Sequence, residues 1–468
     1  MIDQSRRLVP LEVIDGGRVD QSATQELRPP NFSDENLALR FAEDHAADLR
    51  FVDMWGKWLI WDGHRWTPDE TRRAFDFSRA ICRAVSSECN DHKVSTQIAS
   101  AKTVAAVYRL AQSDRRLAAR IEQWDSDPWL LNTPRGVINL RTGETRLGKP
   151  ADYMTKMTAV HAGGECPRFL SFLDEITGED SGLVAFLQRM VGYALTGSTQ
   201  EHALFFVYGT GANGKSVFIN TVAGILGDYH RIAPIETFTA SNVERHPTEL
   251  ASLQGRRMVS AIETEEGRRW AESRIKALTG GDKIAARYMR QDFFEFTPQF
   301  KLIIAGNHKP GLRTVDEAIR RRFHLIPFTV TIPPEDRDPS LAEKLRREWP
   351  GILQWMIDGA LEWGEQGLQP PEAVTAATEA YLEAEDALTA WLEECCDRGD
   401  QSAWEKTSIL FSSWRSWAEK AGEPPGSMKR FRQNLETRGL TDERRSYGRG
   451  FLGIKVETVE EESPWRGQ

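Results

Sequence analysis

From residue 203 onward the chain shows four short, unbroken apolar runs, ALFFVY, RMVSAI, KLIIAG and FHLIPF, separated by stretches of helical period. Strands that are apolar on both faces belong in a parallel sheet covered by helices, because a half-exposed antiparallel strand alternates instead. The pattern predicts an α/β nucleotide-binding core over 201–335. Ahead of it, FLSFLDEI and LVAFLQRMVGYAL carry the helical period and predict a connector over 161–200. Further forward, 41–157 combines helices between about 72 and 123 with two hairpin signals. These are KWLIWDGHRW, turning at Asp62 and Gly63, and GVINLRTGETRL, turning at Thr142 and Gly143. The segment 35–160 therefore reads as an α+β accessory domain. Its Trp55, Trp58, Trp61 and Trp66 could stack on bases, although packing across strands is the commoner fate of such residues. Behind the core, 336–400 has a charged helical pattern, and 401–456 reads helix, turn, helix, hairpin.

Length agrees with several domains, since 468 residues exceed the roughly 250–300 at which one hydrophobic core usually divides. No window is apolar enough to span a membrane and no secretory signal opens the chain, so a cytoplasmic location, in a host cell, and no membrane partner are expected. Residues 1–34 read as a mobile leader and 457–468 as an acidic tail. Five cysteines without a C-x-x-C pair give no zinc pattern. The net charge of -9 means that nucleic acid must be met by local basic patches. The unit 404–456 supplies one, with 11 Lys and Arg against 6 Asp and Glu.

The first apolar run leads directly into GTGANGKS at 209–216 and then into a helical run. This is the GxxxxGK[ST] pattern in its strand, loop and helix context. Gly209, Thr210, Gly211, Ala212, Asn213 and Gly214 are the candidate cradle for phosphates, and Lys215, Ser216 and Val217 open the helix. Glycines let successive backbone N–H groups turn toward an anion, and the helix N-terminus adds partial positive charge. Lys215 is expected on the β and γ phosphates of ATP, and Ser216 on Mg2+. A carboxylate is expected at the end of a neighbouring strand, where RMVSAI runs into Glu263 and Glu265, one to hold the metal and one to act as base. Asn307, at the tip of KLIIAG, suits a water-positioning or γ-phosphate-sensing role. Arg320, Arg321 and Arg322 precede the fourth run and include candidates for an arginine supplied in trans to the transferring phosphoryl group.

Two segments have the chemistry for DNA. The stretch DKIAARYMRQDFFEFTP predicts a hairpin, either one with Lys283, Arg287 and Arg290 toward phosphates and Tyr288 or Phe293 for stacking, or an ordinary surface hairpin with its aromatics facing the core. In 401–456, helix, turn, basic helix and hairpin describe a winged helix, with Leu410, Trp414, Trp417, Met428, Phe431 and Leu435 inward. Lys429, Arg430, Arg432, Arg445 and Arg449 are its candidate DNA contacts.

Together these motifs resemble the phage and plasmid primase-helicases, whose motor belongs to superfamily 3 and which have poxvirus relatives. The resemblance covers 41–456 and rests on WGKWLIWDGHRW, LLNTPRGVINLRTGE, QRMVGYALTG, GTGANGKS, SAIETEEG, KALTGGDKIAARYMRQDFFEFTP, FKLIIAGNHKP and DEAIRRRFHLIPF. It implies a P-loop, AAA+-like fold for the core 201–335 and a homo-oligomeric ring, usually a hexamer, that hydrolyses ATP between subunits and draws single-stranded or forked DNA through its centre with 3' to 5' polarity. Lys215, Ser216, Glu263, Glu265 and Asn307 would serve one subunit's ATP, Arg321 or Arg322 would reach in from the next, and the hairpin around Arg290 would line the pore. About forty residues precede the matching region, where many members carry a primase domain, so a separate primase is expected. The chain departs from the family pattern at Arg320, often aromatic there, and at Gly306, where Thr is common, which leaves the finger open among Arg320 to Arg322. The expected function is a replicative DNA helicase of a mobile element. The alternative is an ATP-regulated DNA-binding initiator or defence switch that assembles without unwinding.

Overall fold

The computed structural model describes residues 29–240, 248–263, 268–289, 292–312, 315–422, 425–446 and 448–457. Most of the expected leader and all but the first residue of the acidic tail lie outside them. The chain divides into two compact units, one containing Asp69–Ala118 with the stretch up to Phe51, the other containing Val52–Pro68 with everything from Ala119.

The first unit is helical. Asp34–His45, Arg73–Glu88, His92–Ile98 and Ala101–Ala111 bury the apolar side of their amphipathic patterns, with Phe41, Ile81, Val85, Val104 and Val107 inside. Three of these helices begin at side-chain caps, where Ser33, Asp91 and Ser100 accept backbone N–H groups that the first turn leaves unpaired.

The second unit is built on five parallel strands: β1 (Leu204–Tyr208), β2 (His230–Ile232), β3 (Met258–Glu263), β4 (Lys301–Gly306) and β5 (Phe323–Pro327). Their order is β5-β1-β4-β3-β2. The unbroken apolar runs have the expected cause. Phe205, Val207, Ile303 and Ala305 join one core with the helices Ser181–Leu195 and Trp349–Gln366, while Leu204, Phe206, Leu302 and Ile304 join another around Trp270 and Tyr381. One expectation is corrected. The strand that ends at Glu263 is not a neighbour of β1, because β4 is inserted between them. Gly306 pairs with both Tyr208 and Glu263, so the three strand ends still lie level.

Both expected hairpins are present. Trp61 opposes Trp66 in the first, and Ile138 opposes Thr145 in the second, which also gains the strand Leu130–Thr133. Trp66 and Trp58 are buried, and Trp61 meets Trp66 edge to face at 5.7 Å, so these rings pack across strands. Among the described residues no helix is long and apolar enough to cross a membrane. All five cysteines are free thiols, and Cys396 lies in a two-residue strand rather than the helix that ends at Cys395.

The terminal region contains the strand Trp404–Lys406, the helices Thr407–Lys420 and Met428–Thr437, and the strands Thr441–Arg445 and Gly448–Leu452. Gly448–Leu452 is central in this antiparallel sheet. Leu410, Trp414, Phe431 and Leu435 are inward as expected, and the core reaches back to Leu388 and Trp391 on the helix Ala387–Cys395. Met428 is not inward but 43% exposed; it is the first residue of its helix, and the core takes Phe431 and Leu435 from the turns that follow.

Candidate functional site

The loop 209–214 leaves the C-terminal end of β1 and turns into the helix Lys215–Leu226. Three of its residues have positive φ, Gly211 at 104°, Ala212 at 50° and Gly214 at 77°, so the backbone curls back on itself. Two glycines are required by contact. A Cβ on Gly209 would stand 2.1 Å from Phe328 O, and one on Gly214 would stand 2.4 Å from Ile176 Cγ2. The loop is tied to the chain after β5: Asn213 Nδ2 donates to Phe328 O at 2.9 Å, and Ile332 N donates to Ala212 O at 2.9 Å. Thr210 and Ala212 are exposed at its rim, and Ser216 is exposed and Val217 half-buried in the first helical turn.

Lys215 is 6% exposed, and burial lowers its pKa from the ordinary lysine value. Its Nζ donates to Gly209 O at 2.6 Å and to Asn307 Oδ1 at 3.2 Å. Sequence positions 215 and 307 thus meet because β1 and β4 are adjacent and end level. Glu263 closes β3 at the same level, while Glu265 lies outside the described residues. Sequence reasoning missed Lys309. Its Nζ lies 4.1 Å from the centre of the Tyr208 ring, and burial lowers its pKa as well. Its only sequence signal is a cation two positions beyond Asn307.

The three arginines separate by environment. Arg320 and Arg321 are exposed, whereas Arg322 is 6% exposed, with Nε donating to Thr279 Oγ1 at 3.2 Å and Nη1 to Ala318 O at 2.7 Å. Arg322 is thus hydrogen-bonded within its own chain, while Arg320 and Arg321 stand open to solvent.

The candidate DNA hairpin consists of Ile284–Ala286 and Phe294–Phe296, paired antiparallel. Arg290, expected at its tip, lies outside the described residues. Lys283 is exposed, and Arg287 lies 4.8 Å over the ring of Phe293, itself 56% exposed. Tyr288 is held inward, stacked on Phe294 with its hydroxyl donating to Ala251 O at 3.2 Å. In the terminal region Lys429 is exposed and Arg430 lies on the same helix. The other candidates meet carboxylates of their own chain: Arg432 reaches Glu436 and Asp442, Arg445 reaches Glu443, and Arg449 reaches Asp442. Any phosphate would have to compete with those partners, which sequence spacing could not reveal.

Parallel strands with helices on both faces, a β-hairpin beside them and a separate terminal core define a multidomain α/β protein. Residues 38–178 match the family described as D5 N terminal like, and 207–322 match a family of unknown function, DUF5906. The protein named "Putative helicase L207/L206" of Acanthamoeba polyphaga mimivirus is 26% identical over 322 residues, covering 63% of this chain and 33% of that one. "Putative primase C962R" of African swine fever virus (strain Badajoz 1971 Vero-adapted) is 25% identical over 229 residues, covering 46% and 24%. The chain thus spans about a third or less of the length of these curated relatives. The apo structure of the NrS-1 C-terminal region shares the fold, with a TM-score of 0.52, 11% identity, and coverage of 91% of this chain and 100% of that one. Over parts of its length the chain is thus similar to viral proteins named as putative helicases and primases, and in fold it is similar to the NrS-1 C-terminal region.

Proposed function

We propose that this chain is the motor of a superfamily 3 DNA helicase that replicates a phage, plasmid or other mobile element. It works as a ring, hexameric as the resemblance implies, and moves 3' to 5' along single-stranded DNA. The observation that carries the reading is Lys215, a buried amine at the C-terminal edge of a parallel sheet, held between Gly209 O and Asn307 Oδ1. Ligands of α/β sheets bind at that edge. The cradle fits a triphosphate: positive φ at Gly211, Ala212 and Gly214 makes a concave backbone, and Gly209 and Gly214 have no room for a side chain.

In this reading the loop 209–214 and Lys215 hold the phosphates of ATP, and Ser216 and Glu263 hold Mg2+. Magnesium-bound ATP would supply the bond to be hydrolysed and neutralise the charge that develops on the phosphates. Lys215 then moves from Asn307 toward the γ phosphate, and Asn307 is released to orient the attacking water. Arg321, or Arg320 beside it, reaches into the neighbouring subunit's site, because Arg322 is occupied at home. The exposed Phe293 and Lys283 and the half-buried Arg287 of the hairpin face the DNA strand, and the terminal region, read as a winged helix, holds duplex through Lys429 and its neighbours.

Lys215→Ala is expected to abolish ATP hydrolysis and strand displacement while leaving duplex binding within about twofold. Unwinding by that variant would refute the proposal. A tailed duplex separates the motor from the assembling switch, since the switch hydrolyses ATP and binds without releasing the strand.

A further inference from the structure

Two cavities of the second unit, of 330 Å³ and 450 Å³, meet at Trp124, Asp125 and Gln254. Each has the size of a small-molecule site, roughly 300–1,000 Å³. They lie at the root of the hairpin 284–296, walled on one side by Tyr288, Phe294 and Phe296 and on the other by Trp55 and Lys57 of the segment Val52–Pro68. We propose that this double cavity is a nucleobase site, which takes an unstacked base of the strand that the hairpin engages. The proposal rests on the DNA reading for the source of the base, though not for the chemistry of the pocket.

The walls are aromatic, and the rings are held in place. Trp124 is 6% exposed and meets Tyr153 edge to face at 5.1 Å and Trp66 at 5.8 Å, while Trp55 lies tilted against it at 6.0 Å. Trp55 is half-buried and borders the first cavity, so one aromatic wall is accessible to a ligand and backed by a fixed one. A base offers a flat π surface to such a wall, whatever its identity.

The polar inventory suits a base as well. Among the described residues, Trp124 Nε1 and Gln299 Oε1 are buried without a hydrogen-bond partner, one a donor and one an acceptor, and both residues border the second cavity. Both atoms lie beneath the cavity surface, closed to water, and a ligand that carries a donor and an acceptor would pair them once the wall yields to it. Nucleobase edges carry both. Gln299 Nε2 already donates to Asp125 O at 3.0 Å, which fixes the amide. Asp125, at φ 49°, accepts from Thr155 N at 2.7 Å and stands 3.6 Å from Lys156 Nζ, so the buried carboxylate of the pocket already has its partners. Exposed Lys57 and Lys283 sit at the mouths of the two cavities, where the phosphates flanking an inserted base would lie.

The test uses the full chain and two photoreactive probes, a single-stranded oligonucleotide containing 5-iodouracil and free 5-iodouridine triphosphate, with cross-links mapped by mass spectrometry. Affinities for an ordinary and an abasic oligonucleotide are measured alongside by anisotropy. Cross-linking of the oligonucleotide at Trp55, Trp124 or Tyr288 is expected. Trp55→Ala should weaken the ordinary oligonucleotide about tenfold, leave the abasic one within twofold, and be rescued by Trp55→Phe. Cross-linking there by the free nucleotide alone keeps the nucleobase site and assigns it to a soluble nucleotide, while the DNA source fails. A cross-link by neither probe overturns the proposal, as does equal weakening of the ordinary and abasic strands. Failure of the helicase reading shows separately, as intact cross-linking without strand displacement.

Discussion

His324, on the strand that flanks β1, is stacked 5.4 Å from Phe205 and lies 6.2 Å from Phe186. Burial pushes its pKa down from 6.5 to about 4. The unfolded chain therefore takes up a proton near pH 6.5 that the folded chain refuses until about pH 4, so stability is lost as pH falls through that window. The linkage amounts to about 2 kcal/mol at pH 5. His324→Phe, which keeps the ring stack, should remove that loss; urea unfolding at pH 7.5 and pH 5 measures it, and an equal acid loss in both proteins would refute the assignment. His230 behaves in the same direction, being half-buried against Ser260, and desolvation lowers its pKa to about 4. Neither effect is readable from the sequence, because a histidine in FHLIPF could equally sit at an exposed strand end. Lys215 is the opposite case: its place in GTGANGKS announces the residue, and only its partner Asn307 had to be found in the fold.

At the scale of elements, the helices Ser181–Leu195 and Trp349–Gln366 pack backbone against backbone. A Cβ on Gly192 would lie 2.2 Å from Ala360 N, and one on Gly359 would lie 2.2 Å from Gln188 O. The two backbones touch at glycines, which brings Arg189 to Glu362 at 2.8 Å. Gly192→Ala or Gly359→Ala should each cost about 1–3 kcal/mol by forcing the helices apart. Gly364→Ala, on the same helix with nothing within 4 Å, should stabilise by up to about 1 kcal/mol through helix propensity. Thermal melts of the three variants test this, and a uniform effect would contradict the crossing. The helices themselves were legible from LVAFLQRMVGYAL and its 3.6-residue period. Their contact was not, since a glycine inside a helical pattern reads the same whether it faces solvent or another backbone. The same holds at Met428, where the period predicted burial and the end of the helix left it exposed.

At the scale of the whole molecule, the proposal requires a site shared between copies. Mixing Arg321→Ala subunits with Lys215→Ala subunits should restore part of the ATPase activity, because some interfaces then combine an intact cradle with an intact arginine. Arg320→Ala in the same mixture tests the adjacent exposed candidate, and no recovery with either would count against a shared site. Arg322→Ala should instead lower stability, because its guanidinium anchors Thr279 and Ala318. The sequence by itself determined the parallel α/β core, the loop 209–214 with Lys215 and Ser216, and the two hairpins, because each depends on a local pattern: an apolar run, a glycine spacing or a turn pair. Tertiary structure alone decided that β4 separates β1 from β3, that Asn307 receives Lys215, that Arg322 is buried while Arg321 is exposed, and that most of the terminal arginines already hold carboxylates. Those outcomes depend on which distant segments come to lie side by side, and no local period or spacing encodes that.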